Sequence, residues 1–188
     1  MNYFTPMNVL DPTIATNEEP ISYAPRPQSL QGLRIGIIEN TKKNAEEVLT
    51  KLAEKLESAY GMKAVKLMHK PERAPVKDWE IAELRDQVDF VIAGIGDCGA
   101  CSSGTLLDAI YLEKAKIPAI AIVTDAFNNT SREMAQLWGV PDFRFVMVPH
   151  PLASLTPEKI NQRAEELVGQ VTALLKEGQQ ASSSAKAV

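Results

Sequence analysis

Five short and almost uninterrupted apolar segments alternate along this chain with longer segments of helical periodicity. Residues 90–95 (FVIAGI) show the apolar pattern most clearly. Strands that are apolar on both faces are typical of parallel sheets covered by helices on both sides. The chain is therefore predicted to be a three-layer α/β domain with a five-stranded, mostly parallel sheet. Five strands favour the flavodoxin-like strand order 2-1-3-4-5.

The alternation predicts the position of each element. Strands are predicted at residues 33–38, 64–68, 88–95, 119–123 and 143–148. Helices are predicted at residues 44–60, 79–86, 105–115, 127–138 and 157–175. Gly61 is expected to end the first helix, because glycine readily adopts the left-handed conformation found there. Thr156 is expected to cap the last helix.

Both termini differ in composition from the middle of the chain. Residues 1–31 are irregular and contain five prolines, which predicts an extended arm over the domain surface or onto a partner subunit. Residues 32–176 are predicted to form the single α/β domain. Residues 177–188 are rich in glutamine, alanine and serine and are expected to be a flexible tail. A homodimer is a hypothesis that rests on the arm alone.

The overall charge and hydropathy argue against several classes of partner. A net charge of −4 without a basic cluster argues against nucleic acid and against an anionic membrane surface. The apolar runs are far shorter than the roughly 20 residues that span a bilayer. The N-terminus has neither the basic start nor the apolar stretch of a secretory signal. We therefore expect a cytoplasmic protein whose partner is a small-molecule substrate.

Cys98 and Cys101 are the only cysteines of the chain and directly follow the third predicted strand. In the predicted topology this loop borders the crevice between strands one and three, where ligands bind. Disulfides are rarely structural in the cytoplasm, so a close pair indicates catalysis, redox chemistry or metal binding. Ser102 or Ser103 is expected to cap the third helix, whose N-terminus would then favour a thiolate. Spacing alone leaves a redox or nucleophilic pair, a metal site and an inert pair open.

Other polar residues follow the strand ends at the same edge of the predicted sheet. His150, after strand five, is a candidate for proton transfer. The predicted substrate-binding residues are Asn40, Lys42, Asp97, Gly99, Ser102 and Asp11. His69 is interpreted as a solvated strand-end residue and Asp125 as a helix cap. No metal ligands are assigned, because two cysteines and two histidines do not indicate a four-ligand zinc site.

Several segments of the chain, taken together, are similar to one protein family. The segments are 10–13, 24–27, 30–36, the loop containing Asn40 and Lys42, 94–101 (GIGDCGAC) and 149–151. They resemble the UGSC family of selenocysteine-Gly-Ser-Cys selenoproteins and their cysteine homologues. The resemblance implies that Cys98 occupies the selenocysteine position and is the primary reactive residue, with Cys101 as the resolving thiol. Ala100 replaces the usual serine, which removes a hydroxyl beside the reactive atom.

The leading hypothesis is a cysteine-dependent oxidoreductase that performs thiol/disulfide-type chemistry on a small molecule. Cys98 is the nucleophile, Cys101 resolves the intermediate, and a thiol compound is the candidate reductant. The sequence requires no cofactor and leaves a metal at the two cysteines open. One alternative is a lyase, hydratase or hydrolase in which Cys98 attacks a carbon centre. The other is a module that binds a metal or a small ligand without catalysis.

Overall fold

A parallel sheet forms the centre of the computed structural model, which describes residues 21–70 and 74–179. Its strands are β1 (Arg34–Glu39), β2 (Lys63–His69), β3 (Phe90–Gly96), β4 (Ala119–Thr124) and β5 (Val146–Val148). They lie in the order β2-β1-β3-β4-β5, and every neighbouring pair is parallel. The α/β class and the strand order 2-1-3-4-5 are therefore confirmed.

Helices cover both faces of the sheet. They are α1 (Ala45–Tyr60), α2 (Asp78–Arg85), α3 (Gly99–Lys114), α4 (Asn128–Leu137) and α5 (Pro157–Glu177). Helices α1 and α5 enclose one apolar core with the sheet. Helices α2, α3 and α4 enclose a second core on the opposite face. This three-layer arrangement explains why the central strands are apolar on both faces.

Burial follows the position of each strand in the sheet. Every residue of β3 and β4 is buried, whereas β2 at the sheet edge is mostly exposed. Each fully buried isoleucine, leucine or valine side chain stabilises the fold by about 1.5–3 kcal/mol relative to its exposed state. The central strands therefore form a rigid base for the loops at their carboxyl ends. None of the described helices is long and apolar enough to cross a membrane.

The third helix begins earlier than predicted. Cys98 occupies its N-cap position and the helix starts at Gly99, so Ser102 and Ser103 lie inside the first turns. The prediction of a serine cap was wrong because the sulfur of Cys98 accepts the hydrogen bond that a serine oxygen would otherwise accept. Cys101 consequently lies within the helix rather than at its start.

The other element boundaries differ less from the sequence pattern. Gly61 follows α1 with a φ of 65°, as predicted. Strand β5 is shorter than predicted, because the Arg144 backbone amide bonds to the side chain of Gln179 instead of a neighbouring strand. Thr156 occupies the N-cap position of α5 without a side-chain capping bond.

The described part of the N-terminal segment packs against α3. The backbone amide of Ala24 donates to Glu113 at 2.9 Å, and Arg26 pairs with the same buried carboxylate at 2.7 Å. Ile21 and Tyr23 contact the second apolar core. These contacts attach the segment to the domain surface, while its reach to a partner subunit stays a prediction.

Candidate functional site

The two cysteines are joined by a disulfide at the carboxyl end of β3, with an S–S distance of 2.14 Å. Cys98 is partly exposed, whereas Cys101 is only 5% exposed. Cys98 is therefore the more solvent-accessible residue of the pair. The difference in burial thus distinguishes the two cysteines, whereas their spacing in the sequence does not.

Residues in the first turn of α3 donate hydrogen bonds to both the sulfur and the backbone carbonyl of Cys98. The backbone amide of Cys101 donates to the Cys98 sulfur at 3.1 Å. The amide and the hydroxyl of Ser102 both donate to the Cys98 carbonyl, each at 2.8 Å. Unpaired amides and the positive end of a helix stabilise negative charge. The arrangement therefore places the N-terminus of a helix and a backbone donor at the Cys98 sulfur.

Gly96 allows the end of β3 to approach α3 and β4 closely. A Cβ atom at this position would lie 2.7 Å from the Ser102 Cα atom and 2.8 Å from a methyl of Val123. A Cβ atom at Gly99 would meet nothing within 4 Å. Gly96 is thus required by packing beside the cysteine loop, whereas Gly99 is not.

Asp97 connects the cysteine loop to the loop after β5. Its Oδ1 atom lies 2.9 Å from Nδ1 of His150. The same carboxylate accepts the backbone amides of Leu152 at 3.3 Å and Ala153 at 3.4 Å. The residue that precedes Cys98 therefore fixes both the imidazole ring and the backbone that follows it.

Residues after β4 complete the surroundings of His150. Thr124 Oγ1 lies 3.1 Å from Nδ1 of the ring and 3.2 Å from the Gly96 carbonyl, to which it donates. The Phe127 ring packs edge-on against the imidazole at a centroid distance of 5.6 Å. Asp125 accepts the backbone amide of His150 at 3.0 Å. The imidazole is thus held by residues from the ends of β3 and β4.

This network determines which nitrogen of His150 carries the proton. An ionised Asp97 can only accept, and the Thr124 hydroxyl donates to a carbonyl. We therefore assign the proton of the neutral imidazole to Nδ1. In this tautomer Nε2 carries a lone pair, through which it can accept a proton from a reacting group.

The predicted residues after β1 have different environments. The Asn40 side chain donates to the Ile95 carbonyl at 2.7 Å and accepts the Ile95 amide at 3.1 Å. Asn40 thus joins the start of the loop after β1 to the carboxyl end of β3. Lys42 is exposed and lines a cavity of about 670 Å³ beside the start of α1. Asp11 lies outside the described residues.

Some interactions were not evident from the sequence. Asp125 was interpreted as a cap of α4, but its carboxylate bonds to the His150 amide and Phe127 occupies that N-cap position. The sequence signal for Thr124 and Asp125 was their position directly after a buried strand. His69 does not join the cysteine site through any described contact; it pairs with Glu39 at the ends of β1 and β2.

Comparisons with curated proteins and with solved structures found no match. A comparison with family models found the UGSC family over residues 8–177, which is most of the chain. The matched range contains every described strand, the cysteine pair, Asp97 and His150. The chain therefore belongs to the UGSC family.

Proposed function

We propose that this protein is a thiol–disulfide oxidoreductase that acts on a small molecule, with Cys98 as the attacking thiol and Cys101 as the resolving thiol. The observation that carries the proposal is the unequal burial of the pair at the start of α3. A partly exposed cysteine with a helix amide beside its sulfur suits the attacking position. Cys101 is buried and is already joined to Cys98 in the disulfide, which suits the resolving position. Family membership is compatible with this chemistry.

The proposed reaction reduces a disulfide substrate in two exchanges. The Cys98 thiolate attacks one substrate sulfur, the substrate S–S bond breaks, and the first thiolate leaves and takes up a proton. The Cys101 thiolate then attacks the Cys98 sulfur and releases the second substrate thiolate, which is also protonated. The substrate gains two electrons and the protein is left with its disulfide. A soluble thiol reductant then regenerates the two protein thiols.

His150 is the proposed proton carrier of this cycle. Its Nε2 atom accepts the proton of the Cys98 thiol and returns it to the leaving thiolate. Asp97 holds the ring in the required tautomer and stabilises the imidazolium that forms. The proposed compartment is the cytoplasm, where thiol reductants keep protein cysteines reduced.

Two single variants test the roles of the thiols. Reduced wild-type, Cys98→Ser and Cys101→Ser proteins are mixed with glutathione disulfide and followed by intact-mass spectrometry. We expect Cys101→Ser to retain one glutathione on Cys98, and wild type to release it and form the internal disulfide. Cys98→Ser should react far more slowly than either. Full turnover by Cys101→Ser would overturn the two-thiol cycle.

A further inference from the structure

A second group of polar side chains lies at the carboxyl ends of β1 and β2. Glu39 and His69 are direct neighbours in the register of these parallel strands, and the Lys70 amide donates to the Glu39 carbonyl. Glu46 belongs to the first turn of α1, which returns to this edge after the loop at 40–44. Thr41 and Asn44 have positive φ angles of 56° and 68°, which turn that loop sharply.

The three side chains direct their ligand atoms at one point. Nδ1 of His69 lies 3.0 Å from Oε2 of Glu39 and 3.9 Å from Oε2 of Glu46. All three ligand atoms lie within 4.8 Å of one another. Zinc bonds of about 2.0–2.1 Å in a tetrahedral site place ligand atoms about 3.4 Å apart. The two His69–glutamate distances therefore differ from the tetrahedral spacing by about 0.5 Å or less.

Glu39 provides an independent reason to expect a cation. Its side chain is only 2% exposed, although it lies at a strand end. Among the residues that the structure describes, its side-chain partner is His69, and no lysine or arginine pairs with it. Buried carboxylates are normally paired with a charge or bound to a metal, because an isolated buried charge is costly. A divalent ion at this position would compensate that charge.

The surrounding cavity leaves room for further ligands of an ion. Its volume is about 670 Å³, and all three residues line it. The described lining includes four glutamates and three lysines, so the negative charges outnumber the lysines. A mixed oxygen and imidazole set suits zinc better than magnesium or calcium, which bind mainly to oxygen. Three protein ligands leave a fourth position for water or an anion.

From these contacts we propose that Glu39, Glu46 and His69 bind a divalent transition-metal ion of the zinc class. The site lies on the α1 face of the sheet, since Glu46 belongs to α1. It uses neither of the cysteines, so it does not depend on the proposed redox cycle. An experiment that disproves zinc binding would therefore leave the redox proposal standing, and the reverse also holds.

Calorimetry with zinc chloride tests the proposal. The untagged protein carries Cys98→Ser and Cys101→Ser so that thiols do not bind zinc, and it is first treated with a chelator. We expect one zinc per chain, and at least about tenfold weaker binding after Glu46→Gln or His69→Gln. Glu47→Gln is the matched control, because Glu47 lines the same cavity in the same helical turn without belonging to the cluster. It should bind as the parent does.

Histidine NMR gives a second readout on the same protein. The chain has two histidines, and His69→Gln assigns their ring signals. Zinc should shift the ring signals of His69 at one equivalent and leave those of His150 unchanged. Absence of stoichiometric binding, equal affinity in the Glu46, Glu47 and His69 variants, or a shift of His150 alone would overturn the proposal. Because Glu46 and His69 are both at least half exposed, their substitution leaves the core intact.

Discussion

Oδ1 of Asp97 lies 2.9 Å from Nδ1 of His150, so the residue before Cys98 orients the histidine that follows β5. Three strand ends contribute to this arrangement, because Thr124 at the end of β4 also contacts the ring. A nucleophile, a proton acceptor and a group that orients the acceptor are the parts that activated thiols use. The contact therefore predicts that Asp97 affects the reactivity of Cys98 through His150.

Asp97→Asn is expected to slow the reaction of reduced protein with glutathione disulfide by about tenfold or more. An amide permits the other imidazole tautomer and does not stabilise an imidazolium. Stopped-flow kinetics across pH measures the effect. Asp125→Asn is the control, because Asp125 contacts the His150 backbone rather than the ring. Equal rates for Asp97→Asn and wild type at every pH would show that the contact between Asp97 and His150 is only structural.

The two thiols of the reduced protein should differ in their rate of alkylation. Cys98 is partly exposed at the helix start, whereas Cys101 is 5% exposed inside the helix. Iodoacetamide should therefore modify Cys98 first, since the reagent needs both access and a thiolate. Peptide mass spectrometry at short reaction times identifies the site. Preferential labelling of Cys101 would contradict the assigned roles.

Gly96→Ala is expected to destabilise the fold by about 1–3 kcal/mol. The added methyl would overlap the backbone of Ser102, which cannot move without displacing α3. Gly99→Ala is the matched control, because its Cβ atom meets nothing and alanine loses less entropy in a helix. Urea denaturation measures both variants. Equal midpoints for the two would refute the close approach of β3 and α3.

Asp108 should make stability depend on pH. Lys70 contacts both of its carboxylate oxygens at 2.8 Å, yet burial raises the pKa of Asp108 to about 6. The folded protein then keeps a proton that the unfolded chain releases near pH 4. This group's contribution to the free energy of unfolding is therefore present at low pH and falls between about pH 4 and pH 6.

Asp108→Asn removes this titration and keeps an acceptor for the Val76 amide. The free energy of unfolding of wild type relative to the variant should decrease from pH 4 to pH 7, by up to about 3 kcal/mol. Urea denaturation at several pH values measures the difference. A constant difference, or one that increases with pH, would contradict the pKa direction.

The parallel α/β class followed from the sequence because β3 and β4 are apolar throughout, and the number of strands then favoured the order 2-1-3-4-5. The position of the cysteines at the end of β3 followed from the same pattern. The capping role of Cys98 did not, because serine is the commoner N-cap and two serines lie close by. Residue chemistry alone pointed to the wrong residue there.

Contacts between distant loops required the three-dimensional structure. Asn40 was predicted near the cysteine loop, but its two bonds to Ile95 depend on the exact register of β1 and β3. Likewise, His150 and Asp97 were separate candidates, because their pairing depends on the conformation of two loops. From the sequence alone Glu39 is an ordinary strand-end residue, and only the strand register places it beside His69.

The most direct test of the account is whether Cys98 and Cys101 act as one redox couple. The wild-type protein is equilibrated in glutathione buffers of increasing oxidising strength, quenched with an alkylating reagent and analysed by peptide mass spectrometry. We expect one reversible transition in which both cysteines lose reactivity together and appear as the Cys98–Cys101 disulfide. Independent loss of the two thiols, or a reductant-resistant adduct on Cys98 alone, would contradict it.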